Sequence, residues 1–566
     1  MKIQNTIVLR LASAIALIAA FMPGRAITAP ADALQWRDPG FDVKRYDADV
    51  RIDHAANIAG SAVITFDFKD ESKGEFYFHL QDIAVDSLYL IDFKIGAEPA
   101  KDLRIGQPAK VVDPNNAKVY YYMAKLPISG AKSNVKLRVF YHGKMTGEAG
   151  GFGGVATKDG VIYSMGVGFT TPYVSMTRHW LPCYDHPSDK AAFHIVFRTP
   201  SDLYAAASGS LISKESSAEG LKFEYMMEEP CATYLYSFSL APYALYQTDF
   251  NGLPFTAYYY KDGYTEDEIK FAFKHVGDMI GAYEELYGKY PFSSFAYATT
   301  PTGSMEHQTM VSLDYLVLNQ VKQLKDSVHS VIAHELSHQW WGDLSTPLDF
   351  RDAWLNEAMA SYSEAAFYDK FYGKEAYLKW VESFNSEYKF ALTQESPMPL
   401  YDFQSVSQKS NYPWTIYKKG GSVMALLRYY AGDTAFYGAL RSFLDSSKYG
   451  NFTTAKLLES FNAHTGKDFT WFFDEWIYRK GYPMLRINAR GGEPDNDGGR
   501  TVNAIILEQT QDTTWGFYTR LPVRIKLEFT DGSDPQYLNF ELNKWSEEFV
   551  LPPYLTKPVK KISFAP

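Results

Sequence analysis

A short segment with two histidines four residues apart constrains the fold more than any other feature of this chain. Apolar residues recur at helical spacing through Ser327–Gly342, which predicts a helix. On such a helix His334 and His338 lie one turn apart on the same face. Two imidazoles in this arrangement can bind a single zinc ion, and Glu335 would stand beside whatever the metal binds. The pattern also occurs by chance, so the rest of the chain must show whether a metal site is present.

Zinc in a catalytic site usually has three protein ligands and leaves its fourth position to water. A second helix is predicted over Asp352–Gly373, and a turn at Pro347 lets it pack antiparallel to the first. Its residues Glu357 and Glu364 share one face. We expect Glu357 to be the third ligand of one Zn²⁺ ion and Glu364 to accept the ring N–H of a ligating histidine. Either glutamate could instead belong to a solvated helix surface.

Composition and charge exclude several classes of protein. A chain of 566 residues suggests about three or four domains, and its 46% hydrophobic content is ample for packed cores. The net charge of −10 argues against nucleic acid as a partner, because nucleic acid requires a basic face. The two cysteines, Cys183 and Cys231, do not make a disulfide framework, and the sequence leaves open whether they pair with each other.

The first residues have the layout of a secretory signal peptide, which we place at 1–29. Lys2 and Arg10 precede an apolar run over Leu11–Met22, and small residues follow it. The alternative is a retained N-terminal anchor. No later apolar run is long enough to cross a membrane, so the mature chain is predicted to be soluble, without a stable membrane span. We therefore expect a protein that is secreted across the inner membrane and resides in the periplasm or outside the cell.

Hydrophobic periodicity changes twice along the chain and predicts a multidomain α+β protein. Alternating apolar and polar residues predict an N-terminal all-β domain. Helical periodicity follows from about Thr265, with an interruption that includes a predicted strand over Val311–Leu318. Alternation returns after Met484, and the remaining length suits a small β-sandwich of about seven strands. The predicted domains are therefore 34–250, 251–483 and 484–566.

Four motifs stand in one order along the chain: Arg178–Phe193 with its Pro182-Cys183-x-Asp185-x-Pro187 core, Gly303-Ser304-Met305-Glu306-His307, His334-Glu335-x-x-His338 followed by Glu357, and Tyr417-Lys418-Lys419-Gly420. Together they resemble the large zinc aminopeptidase family with a thermolysin-like catalytic domain, whose members include alanyl aminopeptidases and leukotriene hydrolase. The resemblance implies a β-sheet platform, a mainly helical zinc peptidase domain and a small C-terminal β-sandwich. It further implies a bacterial secreted-type member without the large helical C-terminal domain of bigger relatives. The site would then be more open, or a partner subunit of a homo-oligomer would cover it.

The resemblance also implies roles for individual residues. Glu335 would be the general base, and Tyr417 would donate a hydrogen bond to the oxyanion of the tetrahedral intermediate. Glu306 would bind the free α-amino group of a peptide substrate. The same substrate-binding segment would include Gly303, Ser304 and Met305, of which the methionine lines the pocket for the first side chain. The implied reaction is hydrolysis of the N-terminal peptide bond of peptides with a free N-terminus.

This chain departs from the family pattern at two positions. His307 stands where the family usually has Asn after the glutamate. Tyr173, nine residues before Pro182, stands where the family has a second Glu or Gln on the β platform, and a phenol carries no charge at neutral pH. Recognition of the free amine could therefore be altered. Three hypotheses remain: an aminopeptidase, a zinc endopeptidase or non-peptide hydrolase with weakened amine recognition, and a catalytically silent zinc-binding protein.

Overall fold

The computed structural model describes residues 39–69, 73–94, 100–113, 116–128, 130–169, 174–405, 410–493, 498–552 and 557–565. The predicted signal peptide at 1–29 and Tyr173 lie outside the described residues. The chain forms two compact units: one reaches Ser396 and includes Tyr401–Phe469, and the other contains Pro397–Leu400 and the residues from Thr470. The domain boundaries proposed at 250 and 483 stay a prediction. No helix within the described ranges is long and apolar enough to cross a membrane.

The N-terminal part of the first unit is built from strands that bury alternate apolar side chains. Along β1 (Phe41–Ile52), buried apolar residues alternate with polar ones, apart from a bulge between Val43 and Arg45. The strands are β1, β2 (Asn57–Phe68), β3 (Glu75–Phe78), β4 (Ala84–Phe93), β5 (Lys101–Ile105), β6 (Ala109–Asp113), β7 (Asn116–Lys125), β8 (Lys132–Lys144), β9 (Gly154–Lys158), β10 (Val161–Met165), β11 (Lys190–Thr199), β12 (Tyr204–Ala207), β13 (Ser210–Ser217), β14 (Gly220–Ala232) and β15 (Phe238–Ala241).

These strands form three sheets. The largest has eight strands in the order β13-β14-β11-β1-β2-β8-β4-β5, and within it β1 and β11 run parallel. A four-stranded sheet has the order β12-β15-β10-β9, and a three-stranded sheet has the order β3-β7-β6. Cys183 pairs with His79 in an isolated antiparallel bridge beside this platform. Cys183 and Cys231 are both buried and free, so no disulfide joins them.

A mixed sheet and a set of helices complete the first unit. Strands β16 (Tyr243–Phe250) and β17 (Leu253–Tyr260) form a hairpin, which β18 (Phe295–Thr300) and β19 (Met310–Asp314) extend in parallel. A short parallel pair joins β20 (Thr346–Pro347) to β21 (Asn451–Phe452). The helices are α1 (Glu266–Phe273), α2 (Val276–Tyr287), α3 (Tyr315–Leu324), α4 (Ser330–Ser337), α5 (Trp354–Tyr372), α6 (Lys374–Ala391), α7 (Trp414–Ala431), α8 (Asp433–Ser446) and α9 (Thr454–Thr465).

Two elements near the histidine motif are shorter than the sequence pattern indicates. The predicted strand over Val311–Leu318 is wrong in its second half, because the Asp314 side chain accepts the Leu316 N–H at 2.9 Å and caps a helix there. The helix predicted over Ser327–Gly342 is α4, whose N-cap is His329 and whose regular turns end at Ser337. Helices α4 and α5 pack against each other, as predicted. All residues of α5 from Trp354 to Tyr368 are buried, so this helix lies in the core.

The second unit consists of one helix and two small sheets. Helix α10 (Thr470–Trp476) precedes two three-stranded antiparallel sheets, whose orders are β22-β23-β26 and β25-β24-β27. The described residues of this unit contain six strands, one fewer than length alone suggested. These strands are β22 (Leu485–Gly491), β23 (Val502–Gln509), β24 (Leu521–Phe529), β25 (Gln536–Leu542), β26 (Ser546–Val550) and β27 (Val559–Phe564). The predicted fold class, a multidomain α+β protein with strands, then helices, then strands, is confirmed.

Candidate metal centre and active site

Helices α4 and α5 bring His334, His338 and Glu357 together. The Nε2 atoms of the two histidines are 3.2 Å apart. Glu357 Oε2 lies 3.3 Å from His334 Nε2 and 3.5 Å from His338 Nε2. A tetrahedral zinc ion with bonds of about 2.0–2.1 Å separates its ligand atoms by about 3.3–3.4 Å. The three atoms therefore form a triangle of the size that zinc requires.

The second nitrogen of each histidine ring is held by a separate acceptor. His334 Nδ1 is 2.9 Å from Glu364 Oε1, and His338 Nδ1 is 2.8 Å from the backbone carbonyl of Trp341. Because each Nδ1–H donates a hydrogen bond to its acceptor, the neutral ring presents the lone pair of Nε2 to a metal. Gly342, with φ of 123°, forms the turn that follows Trp341. The structure thus places the Glu364 carboxylate beside His334 and the Trp341 carbonyl beside His338, and no sequence motif marks the carbonyl.

The charges around this triangle indicate that a cation suits it. Burial lowers the pKa of His334, but the carboxylates of Glu357 and Glu364 outweigh that effect and raise the pKa to about 10. Burial raises the pKa of Glu357, yet the two histidines outweigh it and hold the pKa below its ordinary value. Glu357 Oε2 is buried and has no hydrogen-bond partner among the described residues. An unsatisfied buried carboxylate oxygen facing two imidazole nitrogens fits a Zn²⁺ ion.

Glu335 and Glu306 lie beside the triangle. One carboxylate oxygen of each and a ring nitrogen of His338 are all within 4.8 Å of one another. Burial raises the pKa of Glu335 to about 8, although the nearby imidazoles of His334 and His338 partly offset it. Burial also raises the pKa of Glu306. Two buried carboxylates next to a metal triangle can bind a cationic substrate group and transfer protons.

The segment around Glu306 is hydrogen-bonded to the edge of β19. Met305 and Ser312 form an antiparallel bridge, in which the two N–H groups donate to the opposite carbonyls at N-to-O distances of 3.0 and 3.1 Å. His307 is fully buried, its Nε2 accepts the Gly166 N–H at 3.3 Å, and its Nδ1 lies 3.0 Å from Ser312 Oγ. Burial lowers the pKa of His307 to about 3, so the ring is neutral. His307 therefore joins the segment to the β platform.

The start of the same segment depends on residues that the sequence analysis missed. Gly303 has φ of 70°, and its N–H donates to Asp314 Oδ2 at 2.7 Å. A Cβ at this position would come within 2.3 Å of the Phe152 ring. The hydroxyl of Ser304 accepts the Asp314 N–H at 3.1 Å. Asp314 and Phe152 thus fix the conformation of the segment. Asp314 could have been predicted from sequence only as a helix cap before an apolar helix, and no pattern marks Phe152.

Tyr417 lies in the first turn of α7, beside the metal triangle. Its ring stacks on that of His334, with centroids 5.9 Å apart and planes inclined by 21°. The Glu395 carboxylate accepts two backbone N–H groups of this turn, at 2.5 and 3.1 Å, and so caps the helix. Burial raises the pKa of Tyr417 well above its ordinary value, so the phenol keeps its proton and can donate it in a hydrogen bond.

Gly420 sets how closely α7 approaches α5. A Cβ at Gly420 would lie 2.6 Å from Cβ and 3.0 Å from Cα of Ala358, the residue that follows Glu357. These distances are too short for an unperturbed contact, so the close approach requires glycine. The glycine of the Tyr417-Lys418-Lys419-Gly420 motif therefore allows the helix that carries Tyr417 to pack against the helix that carries Glu357.

We expect Gly420→Ala to lower the free energy of unfolding by about 1–3 kcal/mol, because the added methyl group overpacks the contact with Ala358. Urea denaturation measures this change. Gly281→Ala is the matched control: Gly281 lies inside α2, and a Cβ there has no atom within 4 Å. This control should raise stability by about 0.5–1 kcal/mol, since alanine is the better helix former. Equal stability of the two variants would contradict the packing role of Gly420.

Two family models match this chain. The model of the Peptidase M1 N-terminal domain matches residues 43–235, and the model of the Peptidase family M1 domain matches residues 271–476. The first match covers the β platform except β15 and the first residues of β1, and the second covers the helices that carry the metal triangle, Glu335 and Tyr417. Together the two matches extend over most of the chain.

Sequence relatives and solved structures agree with these matches. The chain is 25% identical over 338 residues to "Probable aminopeptidase 2" of Sulfurisphaera tokodaii. This alignment covers 57% of this chain and 43% of the relative. It is 24% identical over 438 residues to "Alanine/arginine aminopeptidase" of Saccharomyces cerevisiae, covering 74% of this chain and 49% of the relative. The chain thus spans less than half the length of these relatives. A crystal structure of an M1 zinc metallopeptidase mutant from Deinococcus radiodurans, bound to a Tyr-Ser-Ala substrate, has a TM-score of 0.65 at 20% identity. It covers 79% of this chain and 96% of that chain, which shows a shared fold.

Proposed function

Because this chain belongs to the M1 peptidase family, we propose that it is a zinc-dependent aminopeptidase that hydrolyses the N-terminal peptide bond of peptides. The observation that carries the proposal is the triangle of His334, His338 and Glu357 atoms, with Glu306 and Glu335 beside it. Several sequence relatives are named aminopeptidases, and the structural relative from Deinococcus radiodurans is named a zinc metallopeptidase. These names support the same reaction for this chain.

The chemistry divides between the metal and Glu335. His334, His338 and Glu357 would hold a zinc ion, which would supply Lewis-acid chemistry for polarising a carbonyl group and lowering the pKa of a water molecule. Glu335 acts as general base and takes the proton of the attacking water. The protonated carboxyl group then gives this proton to the departing amine. Glu335 is 7% exposed, so bulk water has little access to the proton in transit.

Other side chains stabilise charge and fix the register of the substrate. Tyr417 donates a hydrogen bond to the oxyanion of the tetrahedral intermediate. Glu306 binds the ammonium group of the substrate, because an ammonium in a cleft is costly to desolvate unless a carboxylate compensates it. With the amine held there, the first peptide bond is the one presented for hydrolysis. The neighbouring residues Gly303, Ser304 and Met305 contact the first residue of the peptide.

We expect Glu364→Ala to lower zinc affinity by about 10- to 100-fold, because His334 loses the carboxylate that orients its ring. Competition with a graded series of chelators, followed by zinc analysis of the protein, measures the change. Glu375→Ala is the matched control, since Glu375 is an exposed glutamate of the neighbouring helix α6. Equal zinc affinity of the Glu364→Ala and Glu375→Ala proteins would show that Glu364 does not support the metal site.

Product analysis tests the proposed function. The purified protein is incubated with a peptide of mixed sequence, and the products are identified by mass spectrometry over time. We expect residues to leave one at a time from the N-terminus, activity to disappear with a chelator, and zinc to restore it. Internal cleavage would favour the endopeptidase hypothesis, for which the uncharged Tyr173 is the sequence observation. No cleavage by zinc-loaded protein would favour a non-peptide hydrolase or a silent zinc-binding protein.

Three further features belong to the proposal. The triangle of His334, His338 and Glu357 supports one Zn²⁺ ion per chain, because the other candidate group, Glu306, Glu335 and His338, shares His338 with it. Elemental analysis would give the ratio. The sequence pattern at 1–29 supports secretion to the periplasm or the medium, and N-terminal sequencing of the mature protein would locate the cleavage site. A homo-oligomer is proposed without a structural observation behind it, and light scattering would give the molar mass.

A further inference from the structure

The Gln339 side chain joins the end of α4 to the segment that carries Glu306. Gln339 directly follows His338 and is fully buried. Its Oε1 accepts the backbone N–H of Thr309 at 2.9 Å, and its Nε2 donates to the backbone carbonyl of His307 at 3.5 Å. The side-chain amide therefore bonds to both an N–H and a C=O of one short segment, as a neighbouring strand would.

Gln339 is itself fixed at the end of α4. Its backbone N–H donates to the Leu336 carbonyl at 3.1 Å, and its own carbonyl accepts the Leu344 N–H at 3.1 Å. The Tyr290 hydroxyl lies 3.1 Å from the Ser294 carbonyl oxygen and 3.3 Å from Gln339 Oε1, so its single proton is shared between these two acceptors. The Thr309 N–H that faces Oε1 fixes the orientation of the amide, which directs Nε2 to the carbonyl of His307. The side chain is thus a defined link between two backbone segments.

The segment held by Gln339 contains a strained residue. Thr309 has φ of 65°, a left-handed conformation that β-branched residues rarely adopt. Such a conformation costs free energy and persists only where surrounding contacts hold it. Besides the bond to Gln339, Thr309 Oγ1 accepts the Gly209 N–H at 2.7 Å, and the Thr309 carbonyl accepts the Ala296 N–H at 2.8 Å. Because Thr309 is three residues after Glu306, relaxation of this turn would displace Glu306.

We propose that Gln339 is a positioning residue for recognition of the substrate amine: it fixes Glu306 relative to the metal ligands by holding the strained turn at Thr309 against the end of α4. The inference rests on the proposed aminopeptidase function and identifies what sets the register of the peptide. Glu306 supplies the charge that binds the amine. Gln339 sets where that charge lies, and a displacement of about 1 Å there is enough to misplace the reacting bond.

A pair of zinc-binding inhibitors tests this role without depending on turnover. Leucine hydroxamate carries an α-amino group, and 4-methylpentanoyl hydroxamate is the same molecule without it. The ratio of their inhibition constants for the zinc-loaded enzyme measures amine recognition, while the second compound measures the metal site alone. The variant is Gln339→Met, which keeps a side chain of similar length and removes the amide. Gln404→Met is the matched control, because Gln404 is another buried glutamine of the same unit.

We expect Gln339→Met to reduce the preference for the α-amino compound by about 10- to 100-fold, with zinc content and inhibition by the des-amino compound unchanged. The KM of a free-amine peptide should rise more than kcat falls. The Gln404→Met enzyme should keep the wild-type preference. A Gln339→Met enzyme with the wild-type preference, or with equal weakening of both inhibitors, would overturn the positioning role.

A second variant keeps the inference testable if Gln339→Met folds poorly. Asparagine tolerates the left-handed conformation, so Thr309→Asn relieves the strain that Gln339 opposes. In the Thr309→Asn background, Gln339→Met should lose less of the amine preference than it does alone. An equal loss in both backgrounds would overturn the link through Thr309. If the wild-type enzyme itself shows no preference for the α-amino compound, the proposed aminopeptidase function fails instead.

Discussion

Glu335→Gln is expected to lower kcat by roughly 100- to 10,000-fold, while the protein still binds zinc. Glutamine matches glutamate in size, but its amide cannot take a proton from water. The ligand atoms of His334, His338 and Glu357 are left in place, because Glu335 does not belong to their triangle. Rates measured on zinc-loaded protein, with zinc content determined on the same sample, separate loss of the base from loss of the metal.

Glu285→Gln is the matched control for this substitution. Glu285 is an exposed glutamate of α2 that pairs with Lys370, and its amide variant should keep wild-type kcat. A zinc-loaded Glu335→Gln enzyme with near-normal kcat would remove Glu335 from the mechanism. A Glu335→Gln protein that has lost its zinc would show that the residue supports the metal site instead of acting as a base.

We expect Tyr417→Phe to lower kcat by about 100-fold or more, with a smaller effect on KM. The substitution removes only the hydroxyl group, so the aromatic ring remains available to stack on His334. The lost hydrogen bond matters most when negative charge develops on the carbonyl oxygen, which is why the effect falls on kcat. Steady-state kinetics on a free-amine peptide, with zinc-loaded protein, give both constants.

Tyr429→Phe provides the comparison on the same helix. Tyr429 is 66% exposed on α7, so loss of its hydroxyl should leave kcat unchanged. If Tyr417→Phe also left kcat unchanged, the charge of the oxyanion would have to be stabilised by another group. Unfolding curves of the two variants would show whether a fall in kcat reflects chemistry or a loss of helix packing.

The residues of the metal triangle could be placed from sequence because helix geometry is local. His334 and His338 are one turn apart on any helix, and the face shared by Glu357 and Glu364 follows from the same period. The helical period does not predict that the two helices pack against each other. That prediction rests on the turn at Pro347, and the burial of α5 on all sides agrees with it. The structure brings these four residues together, at distances that pattern alone does not supply.

The contacts that orient the site could not be predicted from local sequence. The carbonyl of Trp341 belongs to the backbone, which every residue has, so no sequence pattern marks it. Phe152 lies against Gly303 although the two residues are far apart in the sequence. Asp314 lies inside an apolar run that suits a strand or a helix equally. Its hydrogen bond to the Leu316 N–H marks the end of β19 and the start of α3. Gln339 stands directly after the zinc motif, yet its bonds to Thr309 and His307 appear only in three dimensions.

The most direct test of the aminopeptidase reaction compares initial rates on one short peptide with a free N-terminus and on its N-acetylated twin, with zinc-loaded mature protein. The proposed role of Glu306 predicts a strong preference for the free amine, because acetylation removes the positive charge that the carboxylate binds. Equal rates on the two peptides would contradict amine recognition. The protein would then be a zinc hydrolase in which the change to Tyr173 had removed the requirement for a free N-terminus.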